Sequence, residues 1–166
     1  MQDPKLFEAC RLSVEPQWID YNGHMNVGYY VVAFDRASDA LFDHFDAGSA
    51  YRHATNASVF VVEAHVTYER ELKQGDPIRF TSQLLDGDEK RLHVLHAMHH
   101  GEEGWLAATN ELMFLHIDLG TRRVAPFPPG LKAKIDLMLD QHLLLPRPPQ
   151  VGRVMAIRGG RRAQVS

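Results

Sequence analysis

The stretch "WIDYNGHMN", Trp18 to Asn26, packs a carboxylate, two amides, a glycine and a histidine into nine residues ahead of an amphipathic segment. Polar groups at that density are poor core material, because each needs a partner once it is buried. The first N–H groups of a helix lack partners and carry partial positive charge. A thioester or ester carbonyl placed there has its developing oxyanion stabilised by a backbone amide, and the Val27 N–H is the leading donor. Gly23 lets a ligand approach the backbone with no Cβ in the way. Asp20 offers an acceptor for a water proton, or a carboxylate nucleophile, while Asn22 and His24 can orient that water or the acyl carbonyl. Such a set suits acyl transfer without a serine or cysteine nucleophile. Asp20 and Asn22 equally suit caps and turns, and Asn26 reads first as a cap.

Those residues need a helix behind them and a sheet beneath it. Val27, Tyr30, Val31, Phe34, Leu41, Phe42 and Phe45 recur at steps of three and four, which predicts one helix over 27–45 with Gly48 as its stop. A short strand over 8–14 precedes it. After a loop come strand-like runs at 58–71, 78–85, 91–100 and 105–119, separated by "QGDP", "DGDEK" and "GEEG". In the third of these, Leu92, Val94 and Met98 share one face. "APFPPG" interrupts regular structure, and 131–145 is expected to close the chain as a helix. Four strands in hairpin succession with one long helix imply an α+β domain, its antiparallel sheet wrapped around the helix. The free sheet edges invite pairing with a second copy.

Composition narrows the classes further. The chain has 166 residues, 45% of them hydrophobic, which suits one compact domain over 1–146. A net charge of −3 gives no reason to expect nucleic acid. No apolar run approaches the roughly 20 residues that span a bilayer, and "MQDPKLFEAC" lacks the layout of a secretory leader. The single cysteine, Cys10, offers no disulfide framework, and no pattern organises the ten histidines as metal ligands, most of them reading as surface or strand residues. His99 and His100 are expected to be exposed near a turn. A cytoplasmic protein without metal follows. The segment 147–166 holds five arginines and no acids among Pro, Gly and small residues, and reads as a solvated tail. Glu63, in "FVVEAHV" beside Val61 and His65, is a lone carboxylate in an apolar strand and is therefore either paired or functional.

The pattern D-x-N-G-H-x-N, formed by Asp20, Asn22, Gly23, His24 and Asn26 ahead of "VGYY", resembles the active-site loop of hot-dog fold thioesterases. Its D-x-x-G part resembles the 4-hydroxybenzoyl-CoA thioesterase group, and its D-x-N-x-H part is similar to the plant acyl-ACP thioesterase motif. "ELKQGDPI" looks like the family's G-D turn, and the resemblance runs from about Leu12 to Asp118. "WIDYNGHMNVGYYVVAFDRASDAL", "VFVVEAHVTYERELKQGDP" and "HIDLGTRRVAPFPP" are similar to the betainyl-CoA thioesterases of carnitine breakdown.

That resemblance implies the hot-dog fold and hydrolysis of a short-chain acyl-CoA, betainyl-CoA first and another small acyl-CoA second. It implies no cofactor beyond the coenzyme A of the substrate, and a homodimer or dimer of dimers with active sites at the subunit boundary. Asp20 becomes base or nucleophile, with Asp35 and Asp39 on the helix, or Glu63, as other possible acids. A trimethylammonium acyl group would use aromatic faces from Trp18, Tyr21, Tyr29, Tyr30, Phe60, Tyr68 and Trp105. Arg70, Lys73, Lys90 and Arg91 are candidates for coenzyme A phosphates. A hot-dog protein that binds an acyl-CoA without cleaving it stays open as a different class.

Overall fold

A computed structural model describes residues 5–157. The chain runs β1 (Phe7–Ser13), a 3-10 turn (Pro16–Trp18), α1 (Val27–His44), α2 (Ser49–Thr55), β2 (Ala57–Tyr68), β3 (Pro77–Gly87), β4 (Arg91–His100), β5 (Leu106–Asp118), β6 (Arg123–Val124) and α3 (Pro129–His142).

α1 starts where its sequence first satisfies an orphan amide. The Asn26 side chain accepts a hydrogen bond from Gly28 N–H at 2.9 Å. The apolar stripe of the helix then buries Tyr30, Ala33, Phe34, Ala37, Leu41 and Phe42 at helical spacing. The helix ends at His44, four residues before the expected glycine. Asp46 takes the left-handed conformation, φ 56°, and the Ala47 and Asp46 amides donate back to the Phe42 and Asp43 carbonyls. A Schellman cap at Asp46, not Gly48, therefore ends it. Gly48 instead opens the short α2, a helix where the sequence pattern predicts a loop.

The strand order is β1-β3-β4-β5-β2, all antiparallel, with β6 pairing the end of β5. One expected feature fails here. β2 and β3 do not form a hairpin; β2 pairs with β5 along its full length, from Ala57 opposite Asp118 to Tyr68 opposite Ala108. The "QGDP" turn thus carries the chain across the sheet, from one edge to the strand beside the other.

α1 packs across β1, β3, β4 and β5, so the sheet does wrap around it. The core has two halves. One gathers Trp18, Met25, Tyr30 and Phe34 with Phe80 and Met98, and the other gathers Leu41, Phe42 and Phe45 with Leu84, Phe114, Ile135 and Leu139. Between them lies a polar seam in which His96 bonds Ser38 Oγ of α1 at 3.1 Å and Ser82 Oγ of β3 at 2.7 Å.

The first part of the arginine-bearing tail is not merely solvated. Gln83 Nε2 donates to the His142 and Pro146 carbonyls, and Gly152 N–H donates to Glu111 Oε2 at 2.8 Å, which lays residues 143–153 across the sheet. Arg158, Arg161 and Arg162 lie outside the described residues, as do the first four residues of the N-terminus. Among the described residues, no helix is long and apolar enough to cross a membrane.

Candidate active site

Local hydrogen bonds explain why the polar loop holds its shape. Ile19 and Met25 form an antiparallel bridge, and Asp20 N–H donates to the His24 carbonyl at 3.1 Å. Inside this small ring, Gly23 turns the chain at φ 81°, and its N–H donates to the Asp20 carbonyl. Two further bonds clamp the exit: Met25 N–H to Leu72 O and Asn26 N–H to Trp18 O, both 2.8 Å. The loop is therefore fixed to the segment after β2 on one side and to the 3-10 turn on the other.

That clamp sets the first turn of α1. Asn26 satisfies the Gly28 N–H with its side chain and the Tyr29 N–H with its carbonyl. The Val27 N–H has no hydrogen-bond partner among the described residues. It borders a cavity of about 330 Å³ that His24, Met25 and Tyr30 line from below and Tyr68, Glu69, Arg70 and Glu71 line from the end of β2. A free amide at a positive helix terminus, on a residue that borders a cavity, is the arrangement that can stabilise an oxyanion. His24 Nδ1 lies 3.3 Å from the Met25 carbonyl oxygen, to which it donates.

The rest of the predicted set divides clearly. His24, Val27, Tyr30, Tyr68 and Arg70 meet in this cavity. Asp20 Oδ1 accepts the Asn22 N–H at 2.7 Å, so the carboxylate is both turn residue and half-exposed acid, with its second oxygen uncommitted among the described residues. Asn22 and Gly23 are exposed beside it, and Asn26 is the cap. Trp18 does not present a ligand face: it is 4% exposed, a core side chain stacked on Tyr29. Tyr21, 97% exposed, points into solvent. Glu63 is exposed and lines a different cavity with His65, His93, Glu111 and Arg153.

Asp35 and Asp39 sit farther along the exposed side of α1. Partial burial, with Asp35 and Asp43 one turn away on either side, pushes the Asp39 carboxyl above its ordinary range. Arg91 is committed to an ion pair with Asp88. His100 corrects another expectation. It is buried, stacked on Trp105, and its Nδ1 accepts the Glu103 N–H. Among the described residues, no group of three or more His, Cys, Asp or Glu side chains is placed to hold a metal ion.

Comparison with known proteins decides the family. The thioesterase-like superfamily matches residues 14–135, from the end of β1 into α3. This chain belongs to it. Within the superfamily, the betainyl-CoA thioesterase of Pseudomonas aeruginosa (strain ATCC 15692) is 38% identical over 144 residues, covering 87% of this chain and 91% of that protein. The L-carnitine dehydrogenase/betainyl-CoA thioesterase of Rhizobium meliloti (strain 1021) is 36% identical over 140 residues, but this chain spans only 28% of its length. Among solved structures, a protein of Staphylococcus aureus in complex with CoA superposes with a TM-score of 0.88 at 30% identity, covering 95% of this chain and 98% of that one. The crystal structure of a putative thioesterase from Pseudomonas putida KT2440 has a TM-score of 0.79 at 32% identity, covering 92% of this chain and 97% of that one. The fold is thus the hot-dog fold, and the chain is a thioester hydrolase. What the sequence reading missed at the site is the acidic pair Glu69 and Glu71. Their alternation around Arg70 in "YERE" was the available signal.

Proposed function

We propose that this chain is a cytoplasmic, homodimeric acyl-CoA thioesterase, with betainyl-CoA as its substrate ahead of other small acyl-CoAs. The unpartnered Val27 amide at the tip of α1 carries the reading. The acyl carbonyl oxygen accepts its hydrogen bond, and the positive helix terminus stabilises the charge that grows on that oxygen. Asp20 takes a proton as a water oxygen bonds to the carbonyl carbon. Collapse of the tetrahedral intermediate then breaks the C–S bond, and coenzyme A leaves as thiolate and takes up the proton, giving the free acid and free coenzyme A. His24 and Asn22 orient the water, and Gly23 leaves room for the thioester. The coenzyme is part of the substrate, and no other cofactor has a task in this sequence of steps. The betainyl preference draws on the Pseudomonas aeruginosa relative and on the aromatic lining of the cavity.

Asp20→Asn is the informative variant, because the amide oxygen can still accept the Asn22 N–H and preserve the turn. With betainyl-, acetyl-, butyryl- and aromatic acyl-CoAs, thiol release by wild type is expected to be fastest for betainyl-CoA. Asp20→Asn is expected to lose at least about 100-fold in kcat, in the range typical of general-base removal. Equal thiol release by the two proteins would remove Asp20 from the chemistry. Saturable acyl-CoA binding without thiol release would favour the non-catalytic binding module.

A further inference from the structure

We propose that Tyr68, braced by the buried Tyr30, together with Glu69 and Glu71 selects a quaternary-ammonium acyl group, while Trp105 keeps the charge of Arg70 away from it. This rests on the reading above, in which the thioester carbonyl meets the Val27 N–H. Tyr30 and Tyr68 pack edge to face (interplanar 86°) with centroids 5.1 Å apart, so the buried ring braces the exposed one. Both hydroxyls are committed. Tyr30 Oη accepts the Leu72 N–H at 3.2 Å, and the Tyr68 hydroxyl donates to the Val27 carbonyl at 3.3 Å. The rings are therefore held in place. Because Tyr68 bonds the same residue whose amide meets the carbonyl, its ring lies one short acyl chain from the reacting atom. Tyr30 is 4% exposed and Tyr68 47%, so one ring is set in the core and the other offers open surface. An aromatic face attracts a methylated ammonium through the ring quadrupole, without needing a hydrogen bond.

The charges agree with the rings. Glu69 and Glu71 line the cavity, and neither forms an ion pair among the described residues. Glu71 lies near enough to contribute to raising the Tyr30 phenol pKa, after burial. Arg70, between them in the chain, would cancel part of this field. Its guanidinium instead rests 4.2 Å from the centroid of the Trp105 ring. Trp105 is itself fixed by its Nε1–H bond to Glu103 at 2.9 Å and by stacking on His100 at 4.9 Å. Arg70 also borders the cavity that holds the thioester end. The length of the pantetheine arm separates that end from the coenzyme phosphates, so Arg70 stands beside the acyl group, its charge drawn onto Trp105, and not beside a phosphate.

The deciding comparison is betainyl-CoA against 3,3-dimethylbutanoyl-CoA, which has the same shape with carbon in place of the charged nitrogen. Wild type is expected to favour betainyl-CoA by about tenfold or more in kcat/KM. Glu69→Gln/Glu71→Gln should bring that ratio to within about threefold of one, because betainyl-CoA loses far more in kcat/KM than the neutral thioester does. Trp105→Leu should lower the ratio several-fold, and Arg70→Gln in the same protein should restore it. A wild-type ratio near one, or a ratio that survives the double Glu→Gln change, overturns the cage while the hydrolase reading stands. If neither thioester is cleaved by the folded wild-type protein, both readings fall.

Discussion

The Val27 amide shows how one residue can be prepared for chemistry by its neighbours' ordinary needs. A helix start leaves several N–H groups without partners, and Asn26 removes two of them, one with its side chain and one with its carbonyl. What remains is a single donor bordering the cavity. The backbone geometry allows a direct test. Val27 is the first helical residue, where proline is tolerated because its missing N–H would go unpaired anyway. Asn26 has φ −65° and ψ 141°, the extended conformation that a residue before proline requires. Val27→Pro should therefore delete the donor and leave the helix in place. We expect kcat to fall about 10²- to 10³-fold, the usual cost of losing one oxyanion donor, with a melting temperature within a few degrees of wild type. Retained activity in a folded Val27→Pro protein would show that the carbonyl is held elsewhere.

At the scale of elements, α1 meets the sheet through apolar packing interrupted once, at Ser38, His96 and Ser82. Complete burial of His96 holds its pKa down to about 3, from an ordinary value of 6.5, because loss of solvent disfavours the charged imidazolium. The sign follows from proton binding: below pH 6.5 the unfolded chain takes up a proton that the folded one refuses. Stability is thus constant above about pH 6.5 and falls as pH drops from there toward about 3, by up to roughly 1.4 kcal/mol per pH unit. A Ser38→Ala/Ser82→Ala/His96→Leu variant, which leaves no orphan polar atom, should lose less stability than wild type between pH 7 and pH 5. Urea midpoints at the two values measure it, and an identical drop would clear His96 of the effect. This burial was legible in the sequence, since His96 and His100 share the parity of Leu92, Val94 and Met98; residue type was given more weight than the pleat. Helix α1 and its cap at Asn26 were legible because a 3.6-residue period and a short amide leave little choice. The partner of β2 was not legible. Turn residues after a strand mark a change of direction, whereas the choice between β3 and β5 depends on contacts some 50 residues apart. Glu69 and Glu71 were hidden for a similar reason: the cavity that gives them a role is built from α1 and β2 together.

The sheet order has its largest consequence at the scale of the whole molecule. It leaves β1 and β2 at the edges, and the two differ in kind. β1 is seven residues long, interrupted by a register shift between Glu8 and Arg11, and crossed by ion pairs from Glu8 to Arg11 and Arg79. Bulges and charges of this type blunt an edge against pairing. β2 is twelve residues long, and it exposes Phe60, Val61 and Val62, at 40–54%, with Val31 and Val32 exposed on α1. A long apolar edge of this kind invites pairing, and a second copy related by a two-fold axis would cover it with the same surface. Pairing β2 with its equivalent would extend the sheet across both subunits and bring a partner close to the cavity that Tyr68 lines at the end of the strand. Sedimentation of the wild-type protein at micromolar concentration should therefore give a dimer or a multiple of it. Phe60→Lys/Val62→Lys places two charges on that edge without touching the cavity. We expect it to sediment as a folded monomer and to lose at least about tenfold in kcat/KM, because the site would then lack its neighbouring subunit. A monomeric variant with full activity would confine the active site to one chain, and a variant that stays dimeric would move the interface off β2.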